Sequence, residues 1–132
     1  MNDERDIARK LAREALLADK PLEWFEQLYS LSISEGVTIP WADYRPNPNL
    51  LKLFDSINEL PAGGKKAIKI GCGLGDDAQW LQSIGFQVTA FDISETAINE
   101  CRRRFPDSQV QFATADLFDV PSDWKGAFDL VQ

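Results

Sequence analysis

The chain has 132 residues, of which 44% are hydrophobic, so we expect one hydrophobic core and one structural domain. Its formal net charge of −7 argues against nucleic acid or an anionic membrane as a partner, because both require a cationic surface. Cys72 and Cys101 lack the spacing of a metal site or a redox motif. There is no signal-peptide pattern, so we expect a cytoplasmic protein. There is also no histidine, so we expect any chemistry to rely on carboxylates or on positioning.

Residues 1–62 are predicted to form a helical extension, because three amphipathic patterns follow one another. The first spans residues 3–19, the second runs from Pro21 to Gly36, and the third begins with Asn47 as N-cap and ends before Pro61. The apolar positions of the three patterns are Ile7, Ala8, Leu11, Ala12, Ala15 and Leu16; Leu22, Trp24, Phe25, Leu28 and Tyr29; and Leu50, Leu51, Phe54, Ile57 and Leu60.

From residue 63 onward, strand patterns alternate with helix patterns, and the first strand leads into three glycines. The β-branched residues Ile68 and Ile70 predict the strand, Gly71, Gly73 and Gly75 follow, and an apolar pattern with helical spacing comes next. Glycines in such a turn permit positive φ and let a ligand approach the main chain. The loop is therefore a candidate nucleotide site.

The residues after the glycines bear on which nucleotide binds. A loop that binds pyrophosphate normally leaves the helix N-terminus free of negative charge, but Asp76 and Asp77 occupy it here. Asp76 also stands where the dinucleotide fingerprint has its third glycine. Both features disfavour NAD and FAD and favour a positively charged nucleoside such as S-adenosylmethionine. In the alternative interpretation, the aspartates only complement the helix dipole and the glycines form an ordinary turn.

Three further strands are predicted at residues 86–91, 110–113 and 128–131. Asp92 follows the first of them, 21 positions after Gly71. A Rossmann-like site has an acidic residue about 20 positions after its glycines, where it accepts hydrogen bonds from the ribose. The alternative is that Asp92 merely caps the next helix.

The helix predicted between the second and third strands contains the one basic run, three arginines at residues 102–104. Glu100 precedes Arg104 by four positions, which predicts an ion pair along the helix surface. We interpret the run as a solvated helix face. Ser94, which precedes this helix, is the other candidate for its cap.

Four segments resemble, in order and spacing, the successive motifs of class I S-adenosylmethionine-dependent methyltransferases: residues 68–81, 91–94, 115–117 and 128–131. Three upstream segments resemble the lead-in of the thiopurine S-methyltransferase-like branch: residues 24–29, 40–43 and 46–48. The resemblance implies an α/β, Rossmann-like three-layer sandwich. Residues 63–132 would form the incomplete cofactor-binding core, with the N-terminal half of the sheet, and residues 1–62 the helical extension and lid.

The resemblance implies S-adenosylmethionine as the cofactor and a small molecule with a thiol or similar acceptor as the substrate. The residues it implies at the cofactor are Trp41, Gly71, Cys72, Gly73, Gly75, Asp92, Ile93, Asp116 and Leu117. The glycines would pass the methionine part and the adenosine, Asp92 would hold the ribose, and Asp116 with Leu117 would meet the adenine. Trp41 would close the site unless it is a core or lid aromatic. No catalytic residue is identified.

The chain departs from this family in two places. Lys69 stands where an acidic residue is usual, unless Asp76 or Asp77 replaces that charge. The chain also ends at Gln132, after the fourth predicted strand, so a non-catalytic oligomerising remnant of the fold is one alternative. A nicotinamide-dependent oxidoreductase domain is a less favoured alternative, because the glycine spacing and the two aspartates disfavour it. The implied strand order is third, second, first, fourth. Residues 128–131 would then form an apolar sheet edge, so we expect a homodimer joined near that strand or through an exchanged N-terminal helix.

Overall fold

A computed structural model describes residues 5–56 and 63–132. The helices in these ranges are α1 (Asp6–Leu17), α2 (Glu23–Glu35), α3 (Pro48–Ser56), α4 (Asp76–Ser83) and α5 (Glu95–Arg104). The strands are β1 (Lys66–Ile70), β2 (Gln87–Asp92), β3 (Gln111–Thr114) and β4 (Leu130–Val131), and short 3₁₀ turns span Leu117–Asp119 and Ser122–Trp124. None of the helices in the described ranges combines the length and the apolar character needed to cross a membrane.

The strands form one parallel sheet in the order β3-β2-β1-β4, which confirms the predicted Rossmann-like α/β fold and its strand order. β1 pairs with β2 from Lys66↔Gln87 to Ile70↔Phe91, while β3 and β4 extend the sheet on either side. Because all the pairings are parallel, the carboxyl ends of the four strands meet at one edge of the sheet.

β3 is shifted by one residue from the prediction and β4 is shorter than predicted, because side chains take over backbone hydrogen bonds at their ends. The N–H of Val110 donates to Ser108 Oγ, so β3 begins one residue later, at Gln111. In β4, the Asp129 carboxylate accepts from the N–H of Lys66 at 2.9 Å, and regular pairing covers only Leu130 and Val131.

The main core lies between the sheet and helices α4 and α5. Side chains on one face of the sheet, including Ala67 and Ala90, pack against fully buried Leu81 of α4 and Ile98 of α5. Burying a side chain of this size stabilises the fold by roughly 1.5–3 kcal/mol. Among the described residues, the opposite face is contacted by the segment after β3, whose Trp124 ring lies 5.3 Å from that of Phe91.

Helices α1 and α2 dock onto this core through a second buried cluster. Leu28 and Tyr29 of α2 contact Ala8 of α1 and Ala97 of α5. The apolar stripe predicted for α1 is only partly correct, because Ile7 is 44% exposed and Leu16 is 67% exposed. The face that α1 buries is narrow: Ala8 and Ala15 are buried, and Leu11 packs partly buried against the same cluster. The predicted helix positions Ile57 and Leu60, the stop at Pro61 and the predicted domain boundary at 62 lie outside the described residues.

Candidate functional site

The glycine loop connects β1 to α4 at the carboxyl edge of the sheet. Gly71, Gly73 and Gly75 have φ values of 59°, 53° and 92°, which residues other than glycine rarely adopt. The space around Gly71 is open, since a Cβ placed there would have no neighbour within 4 Å. The N–H of Cys72 donates to the carbonyl of Phe91 at 2.9 Å, which fixes the loop against the end of β2.

Gly75 has a different surrounding from Gly71. It is the N-cap residue of α4, and a Cβ there would lie 3.0 Å from Cys101 Sγ and 3.3 Å from the Phe112 ring. Because Gly75 has no Cβ, α4 can begin close to α5 and β3. Among the predicted site residues, Gly75 therefore has a packing role, while the open space near a ligand belongs to Gly71.

Asp92 ends β2 and is 7% exposed. Its Oδ2 accepts from the N–H of Gly73 at 2.9 Å, and its Oδ1 accepts from the N–H of Ser94 at 3.0 Å. The cap of α5 is Ser94, whose Oγ accepts from the N–H of Ala97, so Asp92 is not the helix cap. A carboxylate offers about four acceptor positions, so two remain for hydroxyl groups of a ligand.

A cavity of about 260 Å³ opens beside Asp92, and we call it the strand-end cavity. Six of the nine predicted site residues line it: Trp41, Gly71, Asp92, Ile93, Asp116 and Leu117. Asp116 lies two residues after the end of β3 and caps the 3₁₀ turn Leu117–Asp119, where its Oδ1 accepts from the N–H of Phe118 at 2.9 Å. The cavity thus places two carboxylates within a mainly aromatic and aliphatic wall.

Four aromatic residues of the strand-end cavity were not predicted as site residues: Phe25, Tyr29, Phe91 and Phe118. Tyr29 Oη accepts from Trp41 Nε1 at 3.0 Å, and a Cβ on Gly73 would lie 3.0 Å from the same oxygen. Burial raises the pKa of Tyr29 above its usual range, so the phenol stays neutral. In the sequence, Tyr29 is one apolar position of an amphipathic helix, and only the tertiary contact with the glycine loop reveals its place.

A second cavity of about 180 Å³, which we call the loop cavity, lies between the glycine loop and the α2–α3 connection. The predicted residues Cys72 and Gly73 line it, together with Trp41 and Gly71, which both cavities share. Its charged residues are Asp43, Arg45, Lys69, Asp76 and Asp77. Asp77 Oδ1 accepts from the N–H of Asn47 at 2.7 Å, which ties the α2–α3 connection to the start of α4.

The ion pair predicted between Glu100 and Arg104 is wrong. Glu100 pairs with Arg103 instead, and the hydrogen bond from Arg103 lowers the pKa of Glu100. Arg104 turns towards the glycine loop, where two bonds of 2.9 Å join it to Asp76 and a third of 2.8 Å reaches the carbonyl of Leu74. The charge of Asp76 is therefore already neutralised, and the basic run is only partly a solvated face.

The reason for this rearrangement is the close packing of α5 against the loop at Gly75. This packing brings the last turn of α5 next to the first turn of α4, where an arginine can form an ion pair with the first-turn carboxylate. The side chains of Arg104 and Asp76 are only 16% and 17% exposed. Such a shielded, two-bond pair is favoured over an exposed pair along one helix.

The sequence matches a protein family and a named relative, and both are described as methyltransferases. The family described as "Methyltransferase domain" matches residues 67–132. The chain is 30% identical over 98 residues to the ubiquinone biosynthesis O-methyltransferase of Thiobacillus denitrificans. This alignment covers 70% of this chain and 41% of that relative.

Two solved structures are similar as well. One, on the conversion of a disulfide bond into a thioacetal group during echinomycin biosynthesis, has a TM-score of 0.70 and 29% identity, and covers 83% of this chain and 45% of that one. The other is magnesium protoporphyrin IX methyltransferase of Synechocystis PCC 6803 with bound SAH, with a TM-score of 0.51, 26% identity, and coverage of 63% and 37%. The chain spans less than half the length of each of these relatives.

Proposed function

The chain belongs to the methyltransferase-domain family, and from this premise we propose that it is the S-adenosylmethionine-binding part of a small-molecule methyltransferase. The observation that carries the proposal is the strand-end cavity, where the Asp92 carboxylate lies among apolar side chains at the carboxyl ends of parallel strands. A nucleoside needs this combination, because the base requires an apolar wall and the ribose requires an acceptor for its hydroxyls.

The cavities suggest one orientation of the cofactor. Asp92 would accept the ribose hydroxyls, and the adenine would lie against Ile93 and Leu117, with Asp116 at its polar edge. The sulfonium and the methionine part would then point past Gly71 into the loop cavity. Trp41 lines both cavities, so its ring would cover the junction between the nucleoside and the methionine part.

When bound, S-adenosylmethionine supplies a methyl group activated by its sulfonium sulfur. The chain's own contribution would be alignment, because an in-line displacement depends on holding the two reacting atoms close and collinear. The open space at Gly71 would admit the cofactor, and the hydrogen bond between Tyr29 and Trp41 would hold the aromatic wall in place. Asp92, fixed by two backbone N–H groups, would set the position of the ribose.

A sulfur acceptor is the substrate class we propose, in keeping with the likeness to the thiopurine S-methyltransferase-like branch. None of the 132 residues is a histidine, and a thiol, with a pKa of about 8.5, needs less help from a base than a phenol at about 10. The solved structure with a TM-score of 0.70 also concerns sulfur chemistry. An oxygen acceptor is the second candidate, favoured by the name of the Thiobacillus relative.

Isothermal titration with S-adenosylmethionine, S-adenosylhomocysteine and NAD tests the proposal. We expect both methionine-derived ligands to bind and NAD to give no response. Binding of NAD without a response to the other two would refute the proposal. Transfer of a labelled methyl group to paired thiol and phenol acceptors would decide between the acceptor classes, since the thiol proposal requires the thiol to react faster.

We also propose a cytoplasmic homodimer. Both cysteines, Cys72 and Cys101, are free and buried, which suits a reducing compartment. β4 lies at one edge of the described sheet, and its Val131 is 62% exposed, so a second copy could pair along this edge. Light scattering at micromolar concentration should give twice the mass of one chain, and a stable monomer would contradict the assembly proposal.

A further inference from the structure

The charges of the loop cavity are unevenly compensated. Asp76 is paired with Arg104, and Asp77 accepts from the N–H of Asn47 and from Gln132 Nε2 at 3.2 Å. The other three charged residues of this cavity, Asp43, Arg45 and Lys69, form no ion pair within residues 5–56 and 63–132. The cavity therefore presents two cations and one anion whose charges the described protein does not balance.

Lys69 is the most fixed of these three residues. It belongs to β1, two positions before Gly71, and it is half-buried, whereas Asp43 and Arg45 are exposed on the α2–α3 connection. Lys69 pairs in register with Ala90 of β2, so it lies on the same face of the sheet as the start of α4. A cation thus lies on the strand beside the loop that the amino-acid end of the cofactor would reach.

We propose that Lys69 binds the carboxylate of the cofactor's methionine part, with Arg45 on the opposite wall as a second cation and Asp43 facing the ammonium group. This rests on the proposed function, because it assigns one end of the same ligand. An ammonium group beside Lys69 would meet a like charge, whereas a carboxylate gains a charge-assisted hydrogen bond. The carboxylate of the ligand would face the two cations and its ammonium group would face Asp43. The two charges of the ligand thus complement the three charges that the described protein does not balance.

The test compares two ligands by isothermal titration: S-adenosylhomocysteine and its decarboxylated analogue, which keeps the adenosine, the sulfur and the amine. The wild-type chain should bind S-adenosylhomocysteine at least about tenfold more tightly than the analogue, because one hydrogen bond between charged groups is lost. In Lys69→Met, this preference should fall to about twofold or less, with the affinity for the analogue unchanged or improved. Lys66→Met is the matched control, since it removes the same charge from the other end of β1, and it should keep the preference.

The outcomes separate this inference from the proposed function. If the wild-type chain does not bind S-adenosylhomocysteine, the proposed function itself fails. If it binds, but Lys69→Met keeps the full preference for the carboxylate, Lys69 does not bind that group and the inference is refuted. Equal weakening of both ligands in Lys69→Met would also refute it, because the lysine would then act on the loop and not on the carboxylate. Circular dichroism of each variant shows that it is folded.

Discussion

Asp92→Asn tests both the local structure and the ligand assignment, because the carboxylate holds two loops at once. Its oxygens accept from the N–H groups of Gly73 at 2.9 Å and Ser94 at 3.0 Å. Asparagine keeps the size of the side chain but replaces one acceptor with an NH₂ donor, so one of the two buried N–H groups loses its partner. A buried donor without a partner costs roughly 1–3 kcal/mol, and we expect the free energy of unfolding to fall by about that amount.

The effect on binding should exceed the effect on stability. The ribose would offer two hydroxyl donors, and each hydrogen bond to a charged acceptor contributes about 1.5–3 kcal/mol. Losing the charge weakens both, so the dissociation constant of S-adenosylhomocysteine should rise at least about tenfold in Asp92→Asn and further in Asp92→Ala. Urea denaturation measures the stability, and isothermal titration measures the affinity.

A 2′-deoxy analogue of the ligand distinguishes a contact with the ribose from a general distortion. The wild-type chain should prefer the ribose form, and Asp92→Asn should lose most of that preference. Asp107→Asn, at an exposed position after α5, is the matched control and should change neither quantity. The ribose assignment is refuted if Asp92→Asn is folded and binds S-adenosylhomocysteine as tightly as the wild type, or if its preference for the ribose form is intact.

Two further predictions concern the groups around the glycine loop. Arg104→Met leaves Asp76 without its cation, and because the pair is shielded but not fully buried, we expect the free energy of unfolding to fall by about 1–2 kcal/mol. Arg103→Met removes an arginine whose side chain is 71% exposed and should have a smaller effect, and equal effects in urea denaturation would contradict the role of Arg104. Burial raises the pKa of Tyr29, so the fold favours the neutral phenol, and this stabilisation is complete below pH ~10 and is lost as the pH rises further. Ultraviolet titration against Tyr29→Phe should show Tyr29 ionising only above that pH, and ionisation near pH 10 in the folded protein would refute the prediction.

The fold could be predicted because its signals are local. Alternating strands and helices, the three glycines and the Asp92 position all follow from patterns within about 25 residues, and the resemblance supplied the strand order that the sheet confirms. The ends of β3 and β4 were less predictable, because Ser108 and Asp129 replace backbone hydrogen bonds with side-chain ones. The Asp129 bond depends on the neighbouring strand β1, whereas the Ser108 hydroxyl binds an N–H only two residues away, and apolar periodicity encodes neither bond.

The parts of the site that the sequence did not reveal are contacts between distant segments. Arg104 was expected to pair with Glu100, because the two are neighbours on one helix, whereas its partner Asp76 lies 28 positions away. Tyr29 was assigned to an apolar stripe, although its hydroxyl lies at the glycine loop. In both cases the residue lies on the helix that the local pattern predicted. Packing between distant segments, however, determines where the polar end of its side chain lies.

One such contact links the helical extension to the proposed ribose site. The Glu26 carboxylate of α2 accepts from the hydroxyls of Ser94 and Thr96 and, at 3.2 Å, from the N–H of Thr96. It therefore brings a negative charge to the N-terminus of α5, where such a charge is stabilising. Ser94 in turn donates its N–H to Asp92, so α2 helps to fix the carboxylate that faces the strand-end cavity. The segment that matches the family, residues 67–132, includes the glycine loop and Asp92. The position of the Asp92 carboxylate nevertheless depends on α2, a helix that lies outside that segment.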